Sequence, residues 1–200
     1  MMSRPFAQKS LLAGVMATML FLAGCASSDN PTRYFMLSPV TPSMADANRS
    51  GAVLGVGPVT LPSHLDRSQL VIRSSENRLV FLENDRWAEP LAENVRRVLG
   101  ENLDARIKPA RIEVFPWNSR DDVMWQIAVD IVSFEKRGDG QVYLEARWKV
   151  VDFVRGDIVL SDRFEASDMA SDIGSEATIR AMSSLLGALA DEIAAAFRQS

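Results

Sequence analysis

Hydrophobic and polar positions follow three different rhythms along the 200 residues. The first is one apolar run, Leu11 to Leu22, preceded by Arg4 and Lys9 and followed by the small residues Ala23 and Gly24. The second is a two-residue alternation that marks strands with one buried face. It is short at "RYFML" (Arg33 to Leu37) and "AVLGVGPVTLP" (Ala52 to Pro62). "SQLVIRS" and "NRLVFLEN" flank a polar "SSEN" and predict a hairpin, and "RIEVFPW" (Arg111 to Trp117) predicts another strand. The alternation becomes long and regular after Trp125. Ile127, Val129 and Ile131 point one way; after "RGDG" so do Val142, Leu144, Ala146, Trp148 and Val150; after the "RGD" turn so do Ile158, Leu160, Phe164 and Ala166. Three such runs joined by glycine-aspartate turns predict an antiparallel meander. The third rhythm is helical. Leu91, Val95, Val98, Leu99 and Leu103 share one face of a helix over Glu89 to Arg106, and Met182, Leu185, Leu186, Leu189, Ile193 and Phe197 share one face over Glu176 to Arg198.

A one-sided sheet and two amphipathic helices can bury their apolar faces only against each other. The expected fold is therefore a two-layer α+β domain, a mainly antiparallel sheet with both helices packed on one face. The domain is expected over 33–200, behind a segment 1–24 and a short polar, proline-broken tether 25–32. Ser38 to Gly51, with two prolines and many turn formers, reads as an exposed loop.

The apolar run at the start is too short to span a bilayer, which takes about 20 residues. Its order, positive then apolar then small, is that of a cleaved secretory signal. "LAGC" (Leu22 to Cys25) resembles the bacterial lipobox, in which the cysteine sulfur receives a diacylglyceryl group, the peptide is cut before the cysteine, and the new amine is acylated. Cys25 is the only cysteine, which excludes an internal disulfide. The expected modification is thus a covalent S-diacylglycerol and N-acyl lipid on Cys25. Ala26 and Ser27 follow it rather than an aspartate, which in proteobacterial lipoproteins points to the periplasmic face of the outer membrane.

Composition narrows the function. Hydrophobic residues at 47% and charged residues at 24% suit a globular core. Cutting before Cys25 removes two positive charges from a net charge of −4 and leaves −6, the wrong sign for a nucleic-acid partner. One histidine, His64, leaves the usual metal and histidine-based catalytic sites short of groups. His64 near Asp66 in "LPSHLDR" and the acid pair Asp121–Asp122 read as solvated loop residues. "GVG" (Gly55 to Gly57) lacks the third glycine and the helix of a dinucleotide fingerprint. No cofactor and no resident metal are expected.

"RWAEPL" (Arg86 to Leu91) is the most distinctive internal segment. Trp87 would pack beneath the helix start, Pro90 would occupy its first turn, and Glu89 would lie near its positive end. The alternative role for Arg86, Trp87, Glu89 and Pro90 is direct contact with a partner.

Together the lipobox, "RYFML", "VGPVTLPSHLDRSQLVIR" and "RWAEPLAENVRRVLGENL" resemble the ABC-type transport auxiliary lipoproteins, the PqiC-like family encoded with MCE-type lipid transport systems. The resemblance implies a non-enzymatic lipoprotein on the outer membrane. It would work beside an MCE-domain periplasmic protein and its inner-membrane permease or ABC transporter, moving phospholipid or related hydrophobic molecules and supporting envelope integrity. It also leaves room for a homo-oligomer, such as a ring at the partner's end. Three other functions remain at this point: an independent lipid carrier with its own cavity, a periplasmic hydrolase, and a purely structural lipoprotein.

Overall fold

The computed structural model describes residues 30–40, 51–117 and 123–199. The chain divides into two compact units, 1–31 and 32–200. Only Asn30 and Pro31 of the first are described. All the described helices and strands belong to the second.

Eight strands form one sheet. They are β1 (Arg33–Phe35), β2 (Val53–Thr60), β3 (Gln69–Ser75), β4 (Arg78–Trp87), β5 (Arg111–Val114), β6 (Trp125–Arg137), β7 (Gln141–Asp152) and β8 (Asp157–Met169). The long ladders are antiparallel, as the alternation predicts: β6 with β7, β7 with β8, and the β3–β4 hairpin. The shorter pairings are parallel, namely β1 with β4, β2 with β5, and both β2 and β3 with β6. β6 can accept two strands on one side because it is long. β7 fills one edge, while β2 lies along Trp125 to Asp130 of the other and β3 along Lys136 and Arg137.

Helix α1 (Leu91–Ile107) and helix α2 (Ser175–Gln199) cover the same sheet face. Every apolar position in the predicted stripes is buried: Leu91 is 2% exposed, and Val95, Val98, Leu99 and Leu103 are 0% exposed. Side chains of this size each contribute roughly 1.5–3 kcal/mol when fully buried, so packing against the sheet, rather than intrinsic propensity, holds both helices. α1 ends where Lys108 turns left-handed (φ 50) and returns its N–H to the Asp104 carbonyl, ahead of Pro109. On the sheet side Ile127, Val129, Ile131, Val142, Leu144, Ala146, Trp148 and Val150 are all at most 3% exposed. Trp148 donates its indole N–H to Glu192 of α2 at 2.9 Å.

One inward assignment is corrected. Ile158 is 59% exposed rather than buried. The β7–β8 register shifts between Val150 and Val151, so Leu160 opposes Val150 but Ile158 opposes Val151. Directly opposed residues share a face, and the extra residue, Val159, turns Ile158 to the side away from the helices.

A feature outside the predicted elements closes the helical layer. After β1 the chain continues as an extended strap along the α1–α2 groove. The N–H of Leu37 donates to Asn94 Oδ1 (3.2 Å), that of Ser38 to Ser183 Oγ (3.1 Å) and that of Val40 to Asn102 Oδ1 (2.9 Å). Arg106, whose side chain is 2% exposed, donates to the carbonyls of Val40 (3.3 Å) and Asn102 (3.0 Å) and pairs with Asp191 at 2.7 Å. Gly187 on α2 faces Val40 so closely that an added Cβ would overlap Val40 Cγ2. Gly187→Ala should therefore cost about 1–3 kcal/mol through overpacking, measured by urea unfolding. Adding Val40→Ala should recover much of that loss, whereas simple additivity of the two substitutions would show that they do not meet.

Candidate functional site

The "RWAEPL" segment lies where β4 passes into α1. Trp87 is 6% exposed, opposes Phe35 of β1, and donates its backbone N–H to Ser68 at 2.7 Å. With Leu91, Phe134 and Met182 it lines a cavity of about 150 Å³ between helices and sheet. Pro90 stands at the N-cap of α1 (φ −52, ψ 131), one position before the first turn. Its carbonyl accepts the N–H groups of Glu93 and Asn94, both at 3.0 Å. Glu89 binds Arg97 at 2.8 Å, two turns into the helix, and Arg97 also reaches Glu101 at 3.1 Å. The hydrogen bonds that Arg97 donates to Glu89, ahead of the opposing effect of burial, hold the pKa of its guanidinium above the ordinary value. Arg86 donates to the Glu83 carbonyl at 3.3 Å. The segment therefore has a buried side, Trp87, and a more accessible side, Arg86, Glu89 and Pro90.

The second feature is the junction where the chain joins the domain. Arg33, in the first strand, makes two hydrogen bonds of 2.7 Å to the carboxylate of Asp85 on β4. The Ser175 hydroxyl, at the start of α2, donates to the same carboxylate. Burial pushes the Asp85 carboxyl up, but the bonds from Arg33 and Ser175, with the Arg33 charge, outweigh it and leave its pKa below the ordinary aspartate value. A carboxylate with a depressed folded-state pKa adds stability that is complete above its unfolded value and disappears as pH falls through the folded one. The stability difference between wild type and Asp85→Asn should therefore shrink as pH drops below the ordinary aspartate range. Melting temperatures of both proteins between about pH 6 and pH 2 check this; a difference constant across that range would contradict it.

The third feature is an open groove of about 580 Å³ on the sheet face away from the helices, lined by Thr60, Asp130, Arg147, Lys149, Ser161 and Arg163. Thr60 donates to Asp130 at 2.6 Å, Arg147 lies 3.9 Å from Asp130, and Arg163 reaches Glu145 (3.0 Å) and Glu165 (3.2 Å). Exposed pairs of this kind contribute at most about 1 kcal/mol each, so they can be exchanged for contacts with a partner at small cost. Pro58, Ala128, Val129 and Trp148 complete the lining with apolar surface between these charged groups. At one end of this face Gly55 makes room for a covering layer, since a Cβ there would come within 2.8 Å of Val123 and 2.9 Å of Trp117. Trp117 stacks edge-on with Phe115 (5.2 Å) and Phe153 (6.1 Å).

The other sequence candidates are placed as follows. Cys25, Asp121 and Asp122 lie outside the described residues. His64 keeps its Nε2 buried with no hydrogen-bond partner. Among the described residues no group of three or more His, Cys, Asp or Glu could hold a metal ion, and no helix is long and apolar enough to cross a membrane. Asn94, Asn102, Arg106 and Asp85 were not among the candidates. The first three fall at helical spacing inside the apolar stripe of α1, and that spacing was the available signal of buried polar hooks.

Residues 35–194 match the family described as ABC-type transport auxiliary lipoprotein component. The chain belongs to this family. The match runs from the end of β1 to within the last two turns of α2, so it takes in the junction of β4 with α1, the groove and most of both helices. Among curated proteins the chain is 30% identical over 131 residues to the intermembrane transport lipoprotein PqiC of Escherichia coli (strain K12), covering 64% of this chain and 68% of that protein. The PqiC of Shigella flexneri matches equally, 30% over 131 residues. The crystal structure of protein XCC0632 from Xanthomonas campestris superposes with a TM-score of 0.67 at 17% identity, covering 80% of this chain and 92% of that one. That of an uncharacterized protein superposes with a TM-score of 0.67 at 20% identity, covering 83% and 98%. At these identities the two structures support the fold.

Proposed function

We propose that this family member is a lipid-anchored subunit of an MCE/ABC-type transport system, held on the periplasmic face of the outer membrane through acylated Cys25. It docks an MCE-domain periplasmic protein and completes the covered path to the outer membrane, with no catalysis of its own. The observation that carries this reading is the family match across nearly the whole domain, set directly behind a lipobox. The PqiC relatives are named for intermembrane transport, and that task gives the physical logic. A lipid exposed to water between membranes loses about 0.8 kcal/mol for every uncovered methylene. A covered conduit therefore needs a fixed point at its far end, and an anchored domain supplies one.

The docking contacts are assigned to the accessible side of Arg86, Glu89 and Pro90, braced from beneath by Trp87, and to the charge-laced groove. An independent carrier is the weaker reading. The cavity between helices and sheet holds about 150 Å³, below the roughly 300–1,000 Å³ of ordinary small-molecule pockets and far below a phospholipid. Crosslinking in cells followed by affinity capture of the lipidated protein tests the proposal. Recovery of an MCE-domain protein is expected; reproducible capture without one, together with extraction of phospholipid by the purified domain, would favour the carrier instead.

A further inference from the structure

We infer that the loop between β8 and α2, residues 170–174, is a bilayer-contacting tip that seats Ile173 in the interfacial layer of the membrane holding the anchor; this rests on the reading that Cys25 carries lipid. Ile173 is 98% exposed, and Met169, at the other end of the loop, is 58% exposed. A single exposed apolar side chain is ordinary on a protein surface. Here two further facts give it a destination.

First, the loop is held in place with its apolar residue turned out. The Gly174 N–H donates to the Asp172 carboxylate at 2.6 Å, the Gly174 carbonyl accepts the Thr178 N–H at 3.2 Å, and Lys136 Nζ donates to the Ile173 carbonyl at 3.3 Å. The Ile173 carbonyl and both backbone groups of Gly174 are thereby engaged, while the Ile173 side chain has almost no cover.

Second, the loop shares a corner of the domain with Arg33 of β1. Arg33, immediately after 25–32, and Ser175, two residues after Ile173, bind the one carboxylate of Asp85. An eight-residue tether spans at most about 28 Å when fully extended. This corner is therefore the part of the domain that an anchor at Cys25 keeps nearest the bilayer, at high effective concentration. Val154 is also 80% exposed, but it lies in the β7–β8 turn at the other end of β8, a strand of 13 residues and hence about 40 Å long. Asp172 beside Ile173 and the 62% exposed Arg33 side chain leave the corner with both signs of charge. The contact is thus apolar in origin, needs no anionic lipid, and should be insensitive to salt.

With Cys25 acylated, a cysteine introduced elsewhere is the sole free thiol. Ile173→Cys and Val154→Cys proteins, labelled with an environment-sensitive fluorophore and reconstituted as full lipidated chains in phosphatidylethanolamine vesicles with and without phosphatidylglycerol, read the contact directly. The expected result is blue-shifted emission at 173, quenched several-fold more by nitroxide lipids than at 154, alike in both vesicle types and in high salt. A water-like probe at 173 on protein that floats with vesicles and carries its acyl chains would overturn the tip and leave the anchor standing. Protein that neither floats nor carries acyl chains would overturn the anchor, and the tip with it. A shift at 173 that appears only when a second envelope protein is added would replace the membrane with a protein contact and overturn the inference.

Discussion

Trp87→Ala is expected to lower the unfolding free energy of the domain by about 3–5 kcal/mol, the range for deleting a large buried aromatic. The Trp87 side chain lines the cavity that Leu91, Phe134 and Met182 share between helices and sheet, while its backbone bond to Ser68 is kept in the alanine variant. That cavity already holds about 150 Å³, so removal of the indole enlarges an existing void rather than letting the walls collapse, which favours the upper part of the range. Urea unfolding of the domain checks the value. Arg86→Ala is the companion measurement: its only described bond is to the Glu83 carbonyl at 3.3 Å, so its stability loss should stay within about 0.5 kcal/mol. Should Arg86→Ala weaken partner capture while stability is untouched, the segment divides into a brace and a contact. Trp87→Ala with a stability change below about 1 kcal/mol would remove the brace.

Cys25→Ala is expected to leave the chain unprocessed or mislocalised away from the outer membrane, with the folded domain retained. One acyl chain gives only a marginal partition constant of about 10⁴ M⁻¹, and stable anchoring takes two signals. A triacylated cysteine exceeds that requirement; an alanine supplies no chain at all. All the described helices and strands belong to the unit Thr32–Ser200, and its melting temperature is expected not to change. Fractionation of cells and mass spectrometry of the amino terminus read the first claim, and thermal unfolding the second. An outer-membrane fraction containing the alanine variant at wild-type level would contradict the proposed anchor.

The two helices and the β6–β7–β8 meander were legible because each rests on a local periodicity: the stripe from Leu91 to Leu103, the stripe from Met182 to Phe197, and five inward residues in a row on β7. Ile158 escaped because one extra residue opposite Val151 reverses a side chain, and no local pattern announces a register shift. The parallel pairings of β2 and β3 with β6 escaped for a related reason. They join segments more than sixty residues apart, and only the length of β6 lets two strands share its edge.

The site divides in the same way. The segment Leu22 to Cys25 that resembles a lipobox is contiguous and lies outside the described residues, and acylation of Cys25 belongs to the proposed function. "RWAEPL" signalled a helix start, and α1 does begin there. The Glu89–Arg97 pair was missed because it replaces a simple interaction with the helix end by a bridge over eight positions. Asp85 was missed because its two partners come from residue 33 and residue 175. Nothing near "NDRW" identifies a carboxylate destined for burial.

The three-way junction at Asp85 also has a mechanical meaning. With Cys25 acylated as proposed, a pull on that end of the chain would arrive at β1, a strand of only three residues on the margin of the sheet. Such a strand would peel away rung by rung. Clasped to Asp85, Arg33 shares the load with β4 on one side and, through Ser175, with the first turn of a 25-residue helix on the other. A domain anchored in that way would hang from its interior, and tension on the anchor would be spread through the body of the fold.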